Sequence, residues 1–530
     1  MGKYVVKRLL RGLVSAIIVV AIVMILVYSL LDRTTIFAGD SGFAHVSSNA
    51  RETYMQSRYK TFGYVDYITY TDWLVGLNKS GEIDDETRSS ITRIGKTAEA
   101  DSDQTAQYVE KFTQEFQSQG YEVIRLNADT KSNGQVKDGG QAVLYATRER
   151  PLISRLIGYF TKMFVIDNIH NVPEEDDIGE RGLTFTLYDP VYNPTGTENV
   201  FSPAIIGNGT THKYLLYFDN IFPFIHQNFL TIQLGESYTV NRGVDVAQTM
   251  TQTQGSYVQT LITYPTGYEE MSADNLHTAT YSSGSLELNP MFAARYEDNY
   301  TSVTTHKAGM SKLGYSFVIG IISTIMAYVL GLPIGLGMAL RKDKLLDKLG
   351  TIYIVFIIAV PSLAYIFLFK AIGGNLFKLP TTFSVDSTDK LMYILPIVSL
   401  ALPSIANLMK WMRRYMIDQM NSDYVKFARS GGLTEGEIFT KHIWKNAMIP
   451  IVHGIPSSVI FAMTGAIITE RVYVVPGAGN LLTEAINKYD NGVIVGVTLF
   501  YAMLSVISII LGDVLMATVD PRISFSTKDR

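Results

Sequence analysis

The sequence predicts an α-helical polytopic membrane protein with a large mixed α/β domain between its first and second spans. Three observations predict this. Long apolar runs with few or no charges recur six times. Lys and Arg collect on one side of those runs, and the stretch 32–311 between the first two runs is polar and acidic.

The six runs cover 12–31, 313–340, 349–369, 391–409, 446–469 and 491–512. A helix needs about 20 apolar residues to cross a hydrocarbon core about 30 Å thick, so each run is long enough to span. Lys3, Lys7, Arg8 and Arg11 precede the first run, as in a signal peptide. Its apolar core is too long for one, and no small-x-small cleavage site follows, so it reads as an anchor that is kept.

Charge sets the orientation. The segments 1–11, 341–348, 410–445 and 520–530 hold 18 Lys and Arg, against 5 in the loops 370–390 and 470–490. The richer side faces the cytoplasm, which places both termini inside. The organisation is then a cytoplasmic start and first span (1–31), an extracellular domain (32–311), a membrane core (312–519) and a cytoplasmic tail (520–530).

The stretch 32–311 carries 35 Asp and Glu against 21 Lys and Arg. Nucleic acid requires a basic footprint, so this domain is not a nucleic-acid binder. The chain has no cysteine, and a large external domain without disulfides suits a bacterial plasma membrane better than a eukaryotic secretory route. Within the domain, 84–120 is polar and helix-forming, with Val109, Phe112 and Phe116 on one face. "YEVIRLNA", "QAVLYATRE", "LTFTLY" and "HKYLLYF" alternate and are rich in β-branched or aromatic residues, which predicts strands. The segment 151–168 is an amphipathic helix, either on the membrane surface or part of the domain. From 243 to 300 the Thr-, Ser-, Gln- and Tyr-rich chain reads as exposed strands and loops.

Signatures of catalysis are missing. "GKT" at 95–97 has Ser90 where the first glycine of a phosphate loop belongs. The histidines lack metal-ligand spacing, and "SRYK" at 57–60 lacks the companion motifs of a serine acyl-enzyme. No catalytic, cofactor or metal site is therefore expected. His453 reads as a helix-packing residue and Asp513 as an end-of-helix carboxylate; Asp513 is the one ionisable residue counted within the spans. Any energy for transport comes from elsewhere.

The segment 421–450 interrupts two apolar runs with charge and a Gly-Gly pair. Residues 422–430 predict a short helix that Gly431-Gly432 ends, since glycine adopts the left-handed turn at little cost. Thr434 and Glu437 have the spacing of a capping box that starts a second helix. This second helix is expected to run toward Ile449, with Pro450 marking entry to the fifth span. Phe427, Leu433, Ile438 and Phe439 provide apolar knobs for a partner groove.

This segment, "DYVKFARSGGLTEGEIFTKHIWKNAMIPIV", resembles the EAA loop of ABC-importer permeases in its oligopeptide and dipeptide form. The matching positions are Tyr424, Val425, Ala428, Arg429, Gly432, Leu433, His442, Asn446, Ala447, Ile449 and Pro450. Lys426 and Phe427 replace the Glu-Ala of the general signature, and Lys445 replaces an Arg. "TERVYVVPGAGNLLTEAI" is similar to the family's external segment, through Pro476, Gly477 and Gly479, and "DPRISF" to its closing motif. "LGESYTVNRGVDVAQTM" (234–250) resembles the element that ordinarily follows the first span, so large insertions surround it here. Such an enlarged external region resembles the B-type permease of Gram-positive bacteria.

The resemblance implies the six-helix type I ABC importer fold and a role as one membrane subunit of an oligopeptide importer. It implies a second permease subunit, two cytoplasmic ABC ATPases and an extracellular peptide-binding lipoprotein as partners, with ATP used only by the ATPases. Of this loop, Tyr424, Ala428, Arg429, Gly432, Leu433, Thr434, Glu437, His442, Asn446 and Pro450 would couple to the ATPases. Alternative readings are a same-branch importer of nickel or a sugar oligomer, or a receptor with an external sensing domain.

Overall fold

The computed structural model describes residues 2–30, 33–38, 40–166, 182–187, 203–208, 213–218, 225–227, 230–252, 254–255, 260–263, 269–272, 310–462 and 466–519. The closing motif at 520–525 and all of 273–309 lie outside the described residues.

The chain opens with α1 (Gly2–Leu30), which covers the first apolar run as far as Leu30. The polar region begins with α2 (Ser48–Thr61), β1 (Val65–Thr69) and α3 (Tyr70–Lys79). It continues through α4 (Asp103–Ser118), β2 (Glu122–Leu126) and β3 (Val143–Glu149). The three strands form an antiparallel sheet in the order β1-β3-β2, with Tyr67 opposite Thr147 and Ile124 opposite Tyr145. Phe112 and Phe116, one turn apart on α4, pack with Trp73 and Leu74 of α3 against Leu144 and Ala146 of β3.

The helix expected within 84–120 is two helices. Asp85–Ile91 is capped by the Asp84 side chain, and α4 by Ser102, whose Oγ accepts the Thr105 N–H at 3.2 Å. Each cap satisfies an otherwise orphaned backbone donor. All four expected strands contain strand. Unexpected was β1, although its alternation of buried Val65 and Tyr67 is a legible signal.

Beyond β3 come α5 (Leu152–Lys162), β4 (Phe164–Ile166) and an antiparallel sheet of β5 (Gly182–Thr186), β6 (Ala204–Asn208), β7 (Lys213–Phe218) and β8 (Ile225–Gln227). Then β9 (Leu230–Ile232) pairs with β4. The expected strands and loops from 243 onward include a helix instead, α6 (Val246–Thr251). The short hairpin 260–263/269–272 agrees with the expectation.

The apolar remainder comprises α7 (Lys312–Leu340), α8 (Leu345–Ala359), α9 (Ser362–Leu376), α10 (Ile394–Met420), α11 (Asp423–Ser430), α12 (Lys445–Ala462), α13 (Ile467–Tyr473), α14 (Ala478–Asn487) and α15 (Asn491–Val519). Among the described residues, α1, α7, α15 and the helical stretch 390–420 are each long and apolar enough to cross a membrane.

The run 349–369, expected as one span, is two helices bent by 114°. Pro361 lacks an N–H and forces Val360 into an extended conformation (φ −85°, ψ 131°), so the helix must stop there. The run 446–469 is also divided. Helix α12 ends at Ala462, Ala466 is non-helical (φ −112°, ψ 88°), and Thr469 belongs to α13.

Small residues bring the helices together. A Cβ on Gly331 or Gly335 of α7 would stand 2.9 Å from Leu408 Cβ or 2.8 Å from the Met409 carbonyl oxygen of α10. Spaced four apart, these glycines open one face of α7 to close backbone approach. Gly12 of α1 does the same against Val506 of α15.

Candidate functional site

The 421–450 segment folds as an elbow. Helix α11 ends at Ser430, and Gly432 takes φ +85°. A Cβ there would meet nothing within 4 Å, so glycine is required by the backbone and not by crowding. Thr434 then opens the second arm with the expected capping box. Its Oγ1 accepts the Glu437 N–H at 3.3 Å, and Glu437 Oε2 accepts the Thr434 N–H at 3.1 Å. Those bonds hold the Glu437 carboxyl below its ordinary range. Arg429 clasps Glu435 across the glycines through two bonds of 2.6 and 3.0 Å. This pair raises the Arg429 pKa and lowers that of Glu435.

The second arm becomes a π-helix over Ile438–Trp444 before continuing as α12. Pro450 lies inside α12 rather than at its start, so the arm runs without a break into the fifth apolar run.

One face of the elbow is tied down. Val425, Ile438, Ile443 and Ala447 are buried with Met412 and Met416 of α10 and Ala339 of α7, and half-buried Ala428 and Leu433 join them. The expectation that Ile438 is a knob for a partner is therefore wrong: it is 0 % exposed. Leu433 and Phe439 are half-buried, and only Phe427, at 79 % exposed, stands clear. Local spacing could not settle this, because the side of the elbow that is covered is set by α10, which arrives from elsewhere in the chain.

Tyr424, His442, Asn446 and Pro450 are brought together around a cavity of about 400 Å³ that Gln419 also lines. The Tyr424 hydroxyl donates to Gln419 Oε1 at 2.5 Å. Arg429, Gly432, Thr434 and Glu437 lie apart from this cavity, around the turn itself. Beside the elbow, Asp347 of α8 is buried against Arg413 of α10, with Nε–Oδ1 2.5 Å and Nη2–Oδ2 2.8 Å. Sequence reading missed this pair.

At the other end of the bundle, Gly477 and Gly479 wrap a buried carboxylate, Glu470. It accepts from Ser316 Oγ (2.7 Å) and from the N–H groups of Ala466 (3.2 Å) and Asn480 (3.0 Å). A Cβ on Gly477 would lie 2.3 Å from Glu470 Cδ, so only glycine fits beside it. Pro476 is half-buried just before that contact.

The 234–250 segment docks on the start of α15 through a second buried carboxylate, Asp490. It accepts the N–H groups of Tyr238, Thr239, Val240 and Val493 at 2.8–3.1 Å, and Ser237 Oγ at 2.7 Å. Gly492 and Gly496 let that segment's backbone approach, since their Cβ atoms would stand 1.9 and 2.5 Å from the carbonyl oxygens of Glu236 and Leu234. Asp513 is thus not the sole carboxylate of interest in the apolar part. It pairs with helix α1, 2.9 Å from the Tyr4 hydroxyl and 3.3 Å from Arg8 Nε. His453 packs against Gly512, as a helix-packing residue does.

Residues 331–525 match the family described as binding-protein-dependent transport system inner membrane component. Over 535 aligned residues the chain is 33 % identical to the oligopeptide transport system permease protein AmiC of Streptococcus pneumoniae, covering 100 % of this chain and 99 % of AmiC. The dipeptide transport system permease proteins DppB of Bacillus subtilis and Lactococcus lactis are 29 % and 32 % identical, covering 40 % of this chain and 68 % and 69 % of their own. The enlarged region 32–311 is therefore shared with AmiC. Among solved structures, a chain of an amino acid ABC transporter with histidines covers 40 % of this chain and 92 % of its own length, at 16 % identity and TM-score 0.30. The chain belongs to the oligopeptide and dipeptide permease family of ABC-transporter membrane subunits.

Proposed function

We propose that the chain is the B-type permease subunit of an ATP-driven importer that carries oligopeptides across the plasma membrane of a Gram-positive bacterium. The termini and the 421–450 elbow face the cytoplasm, and 32–311 lies outside. The fold is the six-helix type I importer membrane domain, whose bent pair α8–α9 serves as one crossing. A second permease subunit completes the path, two ABC ATPases bind beneath, and a peptide-binding lipoprotein delivers substrate to the acidic external domain.

The observation that carries this reading is the elbow. Its inner face is buried on α7 and α10, while Phe427 and the charged outer face stay free. A lever packed this way transmits displacement of the turn to the membrane helices. The full-length likeness to a protein named as an oligopeptide permease supports the choice of cargo.

The test is uptake of a labelled tetrapeptide by cells lacking the chain and by complemented cells, with the purified complex analysed for its subunits. Restored uptake and co-purification of two ATPases and a second permease are expected. Uptake of nickel or a sugar oligomer in place of the peptide would overturn the cargo assignment.

A further inference from the structure

Where α1 ends, a cavity of about 680 Å³ opens between α1, α5 and the 233–245 segment. Met24 and Tyr28 of α1 line it, together with the cations Lys60, Arg150, Arg155 and Lys162. Arg150 is engaged by Asp66, and Arg155 donates to the Tyr64 carbonyl oxygen at 2.8 Å and pairs with Glu149 at 3.4 Å. The Arg155 side chain is only 8 % exposed, and its Nε is buried without a partner. Lys60 and Lys162 are exposed and form no ion pair among the described residues.

Two acids also line the cavity. Asp245 accepts the N–H groups of Leu234, Gly235 and Ala247, and Glu236 has Arg58 and Arg242 as nearby counter-charges. Of the four cations, Lys60 and Lys162 are the two left without an ion-paired acid among the described residues.

Helix α5 has two apolar faces. Leu156, Tyr159 and Phe160 pack on the cluster that includes Val20 and Met24 of α1. Ile153 and Ile157, one turn apart, are 72 % and 58 % exposed. Phe164 and Ile232, opposite each other across β4 and β9, are exposed as well. On α1, Ile22, Ile25 and Leu26 form a similarly uncovered apolar surface. An uncovered apolar patch beside a membrane span suits the interface between water and lipid, where an amphipathic helix lies flat.

We propose that α5 lies in the membrane interface beside the end of α1, and that the cavity takes the headgroup of an anionic phospholipid. The acyl chains run down the exposed face of α1, and the phosphate is met by Lys60, Lys162 and the buried Arg155. Protein or peptide occupants would not need the uncovered isoleucines to continue onto a membrane span.

The chain has no cysteine, so Ile157→Cys gives a single attachment point for an environment-sensitive fluorophore. The labelled full-length chain is placed in phosphatidylcholine nanodiscs containing either brominated phosphatidylglycerol or brominated phosphatidylcholine. Both lipids should quench at high content, and phosphatidylglycerol should do so at a mole fraction about thirtyfold lower, given roughly 1 kcal/mol for each of the two exposed lysines. Lys60→Gln with Lys162→Gln should abolish that preference. Should this double variant fail to fold, raising the salt on the unmutated background must weaken the preference instead, because exposed charges are screened. Absence of quenching by either lipid would overturn the interfacial placement. Equal quenching, a preference that survives the double substitution, or its loss to millimolar inorganic phosphate would overturn the lipid site.

Discussion

The carboxylate of Asp490, 0 % exposed, accepts the backbone N–H of Tyr238 at 3.0 Å across 252 positions of sequence. Six donors converge on its two oxygens, so this one side chain fastens the polar region to the first turn of α15.

Asp490→Asn should therefore be destabilising although it is nearly isosteric. Either orientation of the amide turns an NH2 group toward at least two donors. Leaving them unmet costs about 2–4 kcal/mol. The purified chain should lose its monodisperse state on heating several degrees below the unmutated protein. An unchanged thermal profile would show that the contact carries no load.

At the elbow, Gly432→Val should insert normally and lose peptide uptake, whereas Gly432→Asn should keep most of it. The site has open space, so the difference comes from the backbone alone: a β-branched residue resists φ +85° and Asn tolerates it. Uptake scaled to membrane expression separates the two variants. Equal loss in both would point to contact with the glycine surface instead.

Breaking the Asp347–Arg413 pair from one side should be worse than removing both members. Arg413→Met leaves a buried carboxylate without its partner, at about 3 kcal/mol, the low end for such changes because Arg413 is partly exposed. Adding Asp347→Leu should recover most of the stability. Thermal denaturation of the full chain in detergent, compared between the unmutated protein and the two variants, reads this out.

The sheet region should loosen in acid. Burial alone would raise the Asp101 pKa, but the Arg125 guanidinium (2.7 Å) and the Gly95 N–H outweigh it and hold the carboxyl below its usual range. A folded-state pKa below the unfolded one contributes stability above about pH 4, and this is lost as pH falls through the folded value. Proteolytic cleavage within 65–149 should accordingly rise below about pH 4. Arg125→Gln should raise cleavage already at neutral pH and reduce the further increase in acid.

The sequence by itself determined what depends on neighbours in the chain. The capping box of Thr434 and Glu437, the turn at Gly432 and the helix starts at Asp84 and Ser102 rest on bonds spanning a few residues. The long apolar helices α1, α7 and α15 follow from length and composition, and Pro361 in an apolar run is a legible break, although the 114° angle is not. Only the tertiary structure decided which carboxylates are buried. The partners of Glu470, Asp490 and Asp347 that hold them in place stand 154, 252 and 66 positions away, in Ser316, Tyr238 and Arg413. It also decided that Ile438 faces inward, because α10 covers the side of the π-turn on which it lies. Periodicity reports one element's own faces, whereas burial of a charge depends on donors brought from elsewhere, and no local pattern encodes their arrival.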